Sequence, residues 1–123
     1  MVGEFEGGRV KDWDDIAAFA LTLPDTVAAT HDGGPAIKVA SNGRAFVSPS
    51  REPDSFTLTI DAATKDVLLE TDPDTFWQTP HYEGWPALLV RYASADPERV
   101  CAMIERARDQ AAARKPAKPR KKA

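Results

Sequence analysis

Residues 79–87 hold the side chains best equipped for chemistry, in the order Thr-Pro-His-Tyr-Glu-Gly-Trp-Pro-Ala. An imidazole such as that of His81 is the side chain best suited to exchange protons or to bind a ligand. The second imidazole of the chain is His31, and with Tyr82 and Trp85 the two histidines define a candidate site for a small molecule. The alternative is structural, because a histidine in a turn commonly bonds the backbone and does no chemistry.

Metal binding and catalysis lack the residue patterns that they require. The two histidines show neither His-x-His nor i, i+4 spacing, so we expect no metal and no cofactor. No serine stands in a Gly-x-Ser-x-Gly elbow, and no glycine pair leads into a phosphate-binding motif. Cys101 lies beside the apolar stripe of a predicted helix, where cysteine usually serves as inert packing. The sequence therefore predicts a protein that is not an enzyme.

Large aromatic side chains are concentrated around the same stretch, at Phe76, Trp77, Tyr82 and Trp85. Such rings stack on nucleobases or other flat ligands, and each stack contributes about 1–3 kcal/mol. The same rings also supply the largest apolar surfaces that a small domain can bury. Both interpretations stay open at this point. The residues of a candidate ligand or partner surface are His31, Trp77, His81, Tyr82 and Trp85.

Basic residues form a second candidate set, for nucleic acid. Lys38, Arg44 and Arg91 lie in or beside predicted strands, where they can place cations on one face of a sheet. The C-terminal tail adds six bases and no acid, namely Arg114, Lys115, Lys118, Arg120, Lys121 and Lys122. A basic arm of this kind binds polyanions weakly, with strong salt dependence and little sequence preference. The alternative is that the strand cations are solvated or paired and that the tail only aids solubility.

Composition is typical of one globular domain. The 123 residues are 42% hydrophobic and 28% charged, with a net charge of −3. Without the six tail bases, 10 bases face 19 acids, so residues 1–113 carry a formal charge of about −9. The chain has a single cysteine and shows no signal-peptide pattern, and its apolar runs are far shorter than the ~20 residues of a membrane span. These features predict a cytoplasmic protein with no membrane partner.

Helix and strand signals alternate along the chain. Three helices are predicted over 13–23, 62–70 and 97–113, each preceded by an aspartate that can cap its first turn: Asp12, Asp61 and Asp96. Five strands are predicted over 26–30, 36–41, 44–48, 56–60 and 86–92. Asn42-Gly43 favours a two-residue type I′ turn between the second and third strands, and Asp32-Gly33-Gly34-Pro35 breaks the chain after the first.

Three segments together resemble the MmcQ/YjbR family of small bacterial proteins. They read Thr79-Pro80-His81-Tyr82-Glu83-Gly84-Trp85-Pro86-Ala87, Gly34-Pro35-Ala36-Ile37-Lys38-Val39 and Leu21-Thr22-Leu23-Pro24. The resemblance covers roughly Trp13 to Ala113. It implies a two-layer α+β domain, an antiparallel sheet of about five strands with helices packed on one face. We expect a flexible lead-in over 1–11, the domain over 12–113, and a disordered basic tail over 114–123.

The leading functional hypothesis is a non-enzymatic protein that binds DNA or RNA with low sequence specificity, since DNA binding is the role that the resemblance implies. A second hypothesis is a protein-interaction or chaperone-like module that offers its sheet or its aromatic region to a partner. A third is small-molecule binding near His81 and Trp85.

Overall fold

The computed structural model describes residues 11–31 and 33–117. Three helices are formed: α1 Trp13–Ala20, α2 Ala62–Thr71 and α3 Pro97–Ala112. Six strands are formed: β1 Thr26–His31, β2 Gly34–Val39, β3 Ala45–Pro49, β4 Ser55–Thr59, β5 Phe76–Trp77 and β6 Ala87–Arg91. A short 3₁₀ turn covers Pro80–Tyr82.

The strands form one antiparallel sheet in the order β1-β2-β3-β4-β6-β5. The predicted α+β class is therefore confirmed, with six strands in place of about five. The additional strand is β5, whose two residues pair with Val90 and Leu89. Two residues are too few to show the alternation by which a strand is recognised in a sequence.

All three helices contribute to one core on a single face of the sheet. Directly paired residues point to the same side of an antiparallel sheet, so Ile37, Val47, Leu58 and Leu88 form one continuous row across β2, β3, β4 and β6. Each is at most 2% exposed. Helix side chains cover this row, among them Ile16, Phe19, Leu68, Val100 and Ile104. We call this side of the sheet the inner face and the other side the outer face.

The three predicted caps are confirmed. The carboxylates of Asp12, Asp61 and Asp96 accept hydrogen bonds from the backbone N–H groups of Asp15, Thr64 and Arg99. The first helix ends at Ala20, earlier than predicted, because the chain turns through Leu21 and Thr22 before it reaches Pro24.

The turn between β2 and β3 differs from the predicted type I′ geometry. Its loop holds four residues, since the Val39 N–H donates to the Arg44 carbonyl and the Gly43 N–H donates to the Val39 carbonyl. Gly43 has a positive φ of 73°, but Asn42 does not, so only one of the two residues is left-handed. The Asn42 side chain is used instead to bind the end of α3, at 2.8 Å from the Ala111 carbonyl.

The connection between β1 and β2 is a tight hairpin that was predicted only as a break. His31 pairs with Gly34, which leaves two residues in the turn. Gly33 has a φ of 82°, and Asp32 lies outside the described residues. The Asp-Gly dipeptide is a recognised hairpin signal, so this connection was open to prediction from the sequence.

Candidate functional site

The strands of the sheet bear two cations and no carboxylate. None of the six described strands contains Asp or Glu; within residues 11–31 and 33–117 these residues lie in the helices and loops. Lys38 lies between the core residues Ile37 and Val39, so its side chain points outward. Arg91 follows the core residue Val90 and points outward too. The strand order separates these two cations by three inter-strand steps, about 14 Å.

Arg91 lies over the Trp77 ring, with its guanidinium carbon 4.5 Å from the ring centre. The indole N–H of Trp77 donates to the hydroxyl of Ser55 at 3.3 Å, and Ser55 is the strand partner of Arg91. This contact places the guanidinium over an aromatic surface, an arrangement that suits a cation at a nucleic-acid or protein interface.

Residues 78–86 fold over part of the outer face, and we call them the covering segment. The Tyr82 hydroxyl is 3.2 Å from the Thr57 hydroxyl on β4. Leu89, which pairs with both Thr57 and Trp77, is fully buried at this place. Trp77 and Tyr82 are therefore packing residues with partly exposed edges. Of the two interpretations left open by the sequence, a stacking platform of four open rings does not form, since Phe76 lies in the core on the inner face.

Lys65 fixes the covering segment from the helical layer. Its side chain is 5% exposed, and its ammonium donates to the carbonyls of Tyr82 at 2.7 Å and Trp85 at 2.8 Å. Burial lowers the pKa of Lys65, while the charges of Asp66 and Glu83 act in the opposite direction. Sequence reasoning missed this residue. The signal was its place three residues before Leu68, on the buried face of α2.

Trp85 projects from the covering segment and is 64% exposed. Beside it lies a shallow cavity of about 240 Å³, lined in part by Lys65, Gln78 and Glu83. The Gln78 amide oxygen is buried and has no hydrogen-bond partner within the described part of the chain. An exposed indole beside polar groups can contact a partner or a small ligand.

The two histidines do not form one site. His81 is exposed in the 3₁₀ turn, where its ring meets the Tyr82 ring edge-on at 5.1 Å between centroids. His31 is exposed on β1, the far edge strand, whereas Tyr82 contacts β4. The separation of β1 and β4 by three inter-strand steps, about 14 Å, removes His31 from the hypothesised small-molecule site.

Four residues of the predicted cationic set lie in or against the β2–β3 hairpin: Lys38, Arg44, Arg114 and Lys115. The Arg44 guanidinium Nε donates to the Lys115 carbonyl at 2.8 Å, and the Ala117 N–H donates to the Asn42 carbonyl at 2.8 Å. Lys38 pairs with Ala45, the residue after Arg44. We call this group the hairpin cluster.

The tail thus continues from α3 onto the hairpin, and residues 114–117 contact the domain. The other tail bases, Lys118, Arg120, Lys121 and Lys122, lie outside the described residues. The predicted disorder of this remainder stays a prediction, as does that of the lead-in before Lys11.

The groups that could support catalysis or metal binding are few. Burial raises the pKa of Cys101 to about 11, with a contribution from Glu105 and Glu98, so its thiol is protonated near neutral pH. Within residues 11–31 and 33–117, no three His, Cys, Asp or Glu side chains are grouped as metal ligands. The same ranges contain no helix with the length and apolarity needed to cross a membrane.

A comparison with known proteins finds mycobacterial relatives. The "Uncharacterized protein Rv2570" and "Uncharacterized protein MT2646" of Mycobacterium tuberculosis and the "Uncharacterized protein Mb2600" of Mycobacterium bovis are each 31% identical to this chain over 101 residues. The match covers 68% of this chain and 75% of each relative. No family model and no solved structure matches the chain.

Proposed function

The chain belongs to the family of these mycobacterial proteins, and from that premise we propose that it is a non-enzymatic binding protein for nucleic acid, of low sequence specificity. The observation that carries the proposal is the hydrogen bond from Arg44 to the Lys115 carbonyl. It joins the basic tail to a hairpin that already bears Lys38 and Arg44. The tail therefore extends a cationic surface of the domain.

The distribution of charge supports the same proposal. Residues 1–113 carry a formal charge of about −9, which on a uniform surface repels a polyanion. In the described part of the chain the acids instead lie in helices and loops, while the six strands carry Lys38 and Arg91 alone among charged residues. A single strand that lies on the outer face from the hairpin cluster toward Arg91 meets cations without crossing a strand carboxylate.

Membership of the MmcQ/YjbR family and a cytoplasmic location form part of the proposal. DNA binding is the role that this resemblance implies, and a single cysteine fits a reducing compartment. The absence of a base-reading helix motif in the sequence favours backbone contacts over sequence readout.

Fluorescence anisotropy with labelled single-stranded DNA, RNA and duplex DNA tests the proposal at about 50 and 200 mM salt. We compare the full chain with chains ending at Ala117 and at Ala113, and with Arg44→Gln. Binding should weaken stepwise with each truncation. The loss of six basic residues should reduce the slope of log affinity against log salt by up to about 4 for single strands and about 5 for duplex DNA.

The matched control is Arg106→Gln, which neutralises an exposed arginine on α3, in the helical layer and not on the outer face. Its affinity should equal that of the unaltered protein. Binding that is insensitive to salt, or equal losses from Arg44→Gln and Arg106→Gln, would contradict the proposal.

A second candidate function is docking of a protein or small molecule at Trp85. It is favoured by the exposure of this indole beside the cavity that contains Lys65 and Gln78. The Trp85→Ala variant separates the two functions, because it should leave nucleic-acid binding unchanged while removing capture of a Trp85-dependent partner.

A further inference from the structure

Strand β1 contributes no side chain to the buried core of the described residues. Val27 is 43% exposed, and Ala28 and Thr30 are exposed on the opposite side of the strand. The strand is nevertheless regular, with all six residues paired to β2 in continuous register. The backbone pairing with β2 holds most of the strand, and the Thr26 hydroxyl adds bonds to the carbonyls of Ala20 and Leu23, while Val27, Ala28 and Thr30 stay exposed.

The outer edge of β1 lacks the features that usually protect an edge strand. Natural edges commonly carry charges, prolines or bulges that prevent pairing with another chain. Thr26–His31 reads Thr-Val-Ala-Ala-Thr-His, with no Lys, Arg, Asp, Glu or Pro. The opposite edge of the sheet differs, because β5 is only two residues long.

The pairing with β2 reveals which backbone groups of β1 face outward. The Ala40 N–H donates to the Asp25 carbonyl at 2.8 Å, so Asp25 and alternate residues after it direct their backbone groups toward β2. Pro35, opposite Thr30, has no N–H, which agrees with this alternation. The backbone groups of Thr26, Ala28 and Thr30 therefore point to the open edge.

We propose that two copies of this chain associate through β1, antiparallel, about a two-fold axis at Ala28. This register places Thr26 opposite Thr30 of the second copy and Ala28 opposite itself, so the outward set Thr-Ala-Thr is self-complementary. About six backbone hydrogen bonds form, and the two sheets join into one. Thr–Thr pairs across antiparallel strands are favourable.

The self-complementary outward set of β1 favours a second copy as the occupant. The negative charge of residues 1–113 opposes association over most of the surface, whereas β1 offers a contact without a formal charge on either side. The contact is short, so we expect a reversible dimer with a dissociation constant on the order of 10–100 µM. The proposal is independent of nucleic-acid binding, since β1 holds no residue of the hairpin cluster.

Sedimentation velocity of the full chain, from about 5 to 500 µM, measures the association. The mass should rise from 13.4 kDa toward twice that value. Ala28→Pro removes an outward N–H and Ala28→Lys sets like charges opposite each other, so each should weaken the dimer at least tenfold. Added salt should partly restore the Ala28→Lys dimer and not the Ala28→Pro dimer.

The matched control is Ala102→Lys, the same substitution at an exposed position of α3, which should dimerise like the unaltered protein. Circular dichroism confirms that each variant is folded. A monomer throughout the concentration range overturns the proposal, and so does a dimer that neither Ala28 variant weakens, because its interface then lies elsewhere.

Discussion

The ammonium group of Lys65 donates a 2.7 Å hydrogen bond to the carbonyl of Tyr82, although Lys65 belongs to the helical layer and Tyr82 covers the outer face of the sheet. The connection passes around the β5–β6 side of the sheet, where only the two residues of β5 lie beyond β6. One buried cation thus sets the position of the covering segment and of the exposed Trp85.

Replacing Lys65 by Met should destabilise the protein by about 1–3 kcal/mol, since two backbone carbonyls lose their charged donor. Urea unfolding followed by circular dichroism measures the loss, and amide exchange should accelerate at residues 82–85. Lys65→Arg, which keeps a cationic donor, is the control and should retain more of the stability. Equal exchange rates in Lys65→Met and the unaltered protein would show that the bonds do not fix this segment.

The sequence was sufficient for those parts of the fold that depend on local signals. The caps at Asp12, Asp61 and Asp96 need only a side chain within reach of the next turn of the same helix. The alternation of Phe56 and Leu58 with threonines likewise defines β4 without reference to the rest of the chain.

The candidate sites depend on contacts between distant residues, which local patterns do not encode. Arg44 and Lys115 are 71 positions apart, and their meeting requires that α3 end beside the β2–β3 hairpin. The burial of Lys65 was not predicted because a lysine on a helix is usually exposed to solvent. The two-residue strand β5 is defined only by its pairing with β6, so no periodicity in the sequence predicts it.

Asp61→Asn should reduce stability at neutral pH, and its effect should shrink as the pH falls through about 2. The hydrogen bond from the Thr64 hydroxyl lowers the pKa of Asp61 to about 2; a further bond from Gln110 acts in the same direction, and burial opposes both. Because the folded pKa lies below the unfolded value, the stabilisation is present above about pH 4 and lost as the pH falls toward 2.

We expect a difference of about 1 kcal/mol at pH 7 between the unaltered protein and Asp61→Asn, since asparagine still caps the helix. Urea unfolding between pH 2 and 7 measures it. Asp74→Asn, which removes an exposed carboxylate from the turn before β5, is the control. A constant difference between Asp61→Asn and the unaltered protein across this range would contradict the expectation.

Tyr92→Phe should improve resistance to alkaline unfolding. Burial raises the pKa of Tyr92 to about 12, and the charges of Asp12, Asp14 and Asp54 contribute. Since the folded pKa exceeds the unfolded value, the stabilisation is complete below about pH 10 and is lost as the pH rises through 12. Phenylalanine keeps the stack on Phe56, whose centroid is 5.7 Å away, and does not ionise.

Thermal unfolding from pH 8 to 12 measures this effect, and we expect the melting temperature of Tyr92→Phe to fall less steeply above pH 10. Tyr82→Phe is the control, because it removes the other tyrosine hydroxyl of the chain. Identical alkaline profiles for Tyr92→Phe and the unaltered protein would exclude Tyr92 as the source of alkaline instability.

Asn42→Ala should release the tail from the hairpin. The Asn42 amide donates to the Ala111 carbonyl at 2.8 Å at the end of α3, and its oxygen accepts the Arg44 N–H at 3.0 Å. Removing both bonds should cost about 1–3 kcal/mol, measured by urea unfolding. Nucleic-acid affinity should fall by less than it does on truncation at Ala113. The variant keeps every basic residue of the tail, and only the contact that holds the tail beside the hairpin is lost. Ser41→Ala, at the neighbouring exposed position, is the control: it removes only the hydrogen bond from the Ser41 hydroxyl to the Asp25 carboxylate, so it should cost less than Asn42→Ala and leave nucleic-acid affinity unchanged. An Asn42→Ala protein that matches this control in both quantities would place the anchoring of the tail elsewhere.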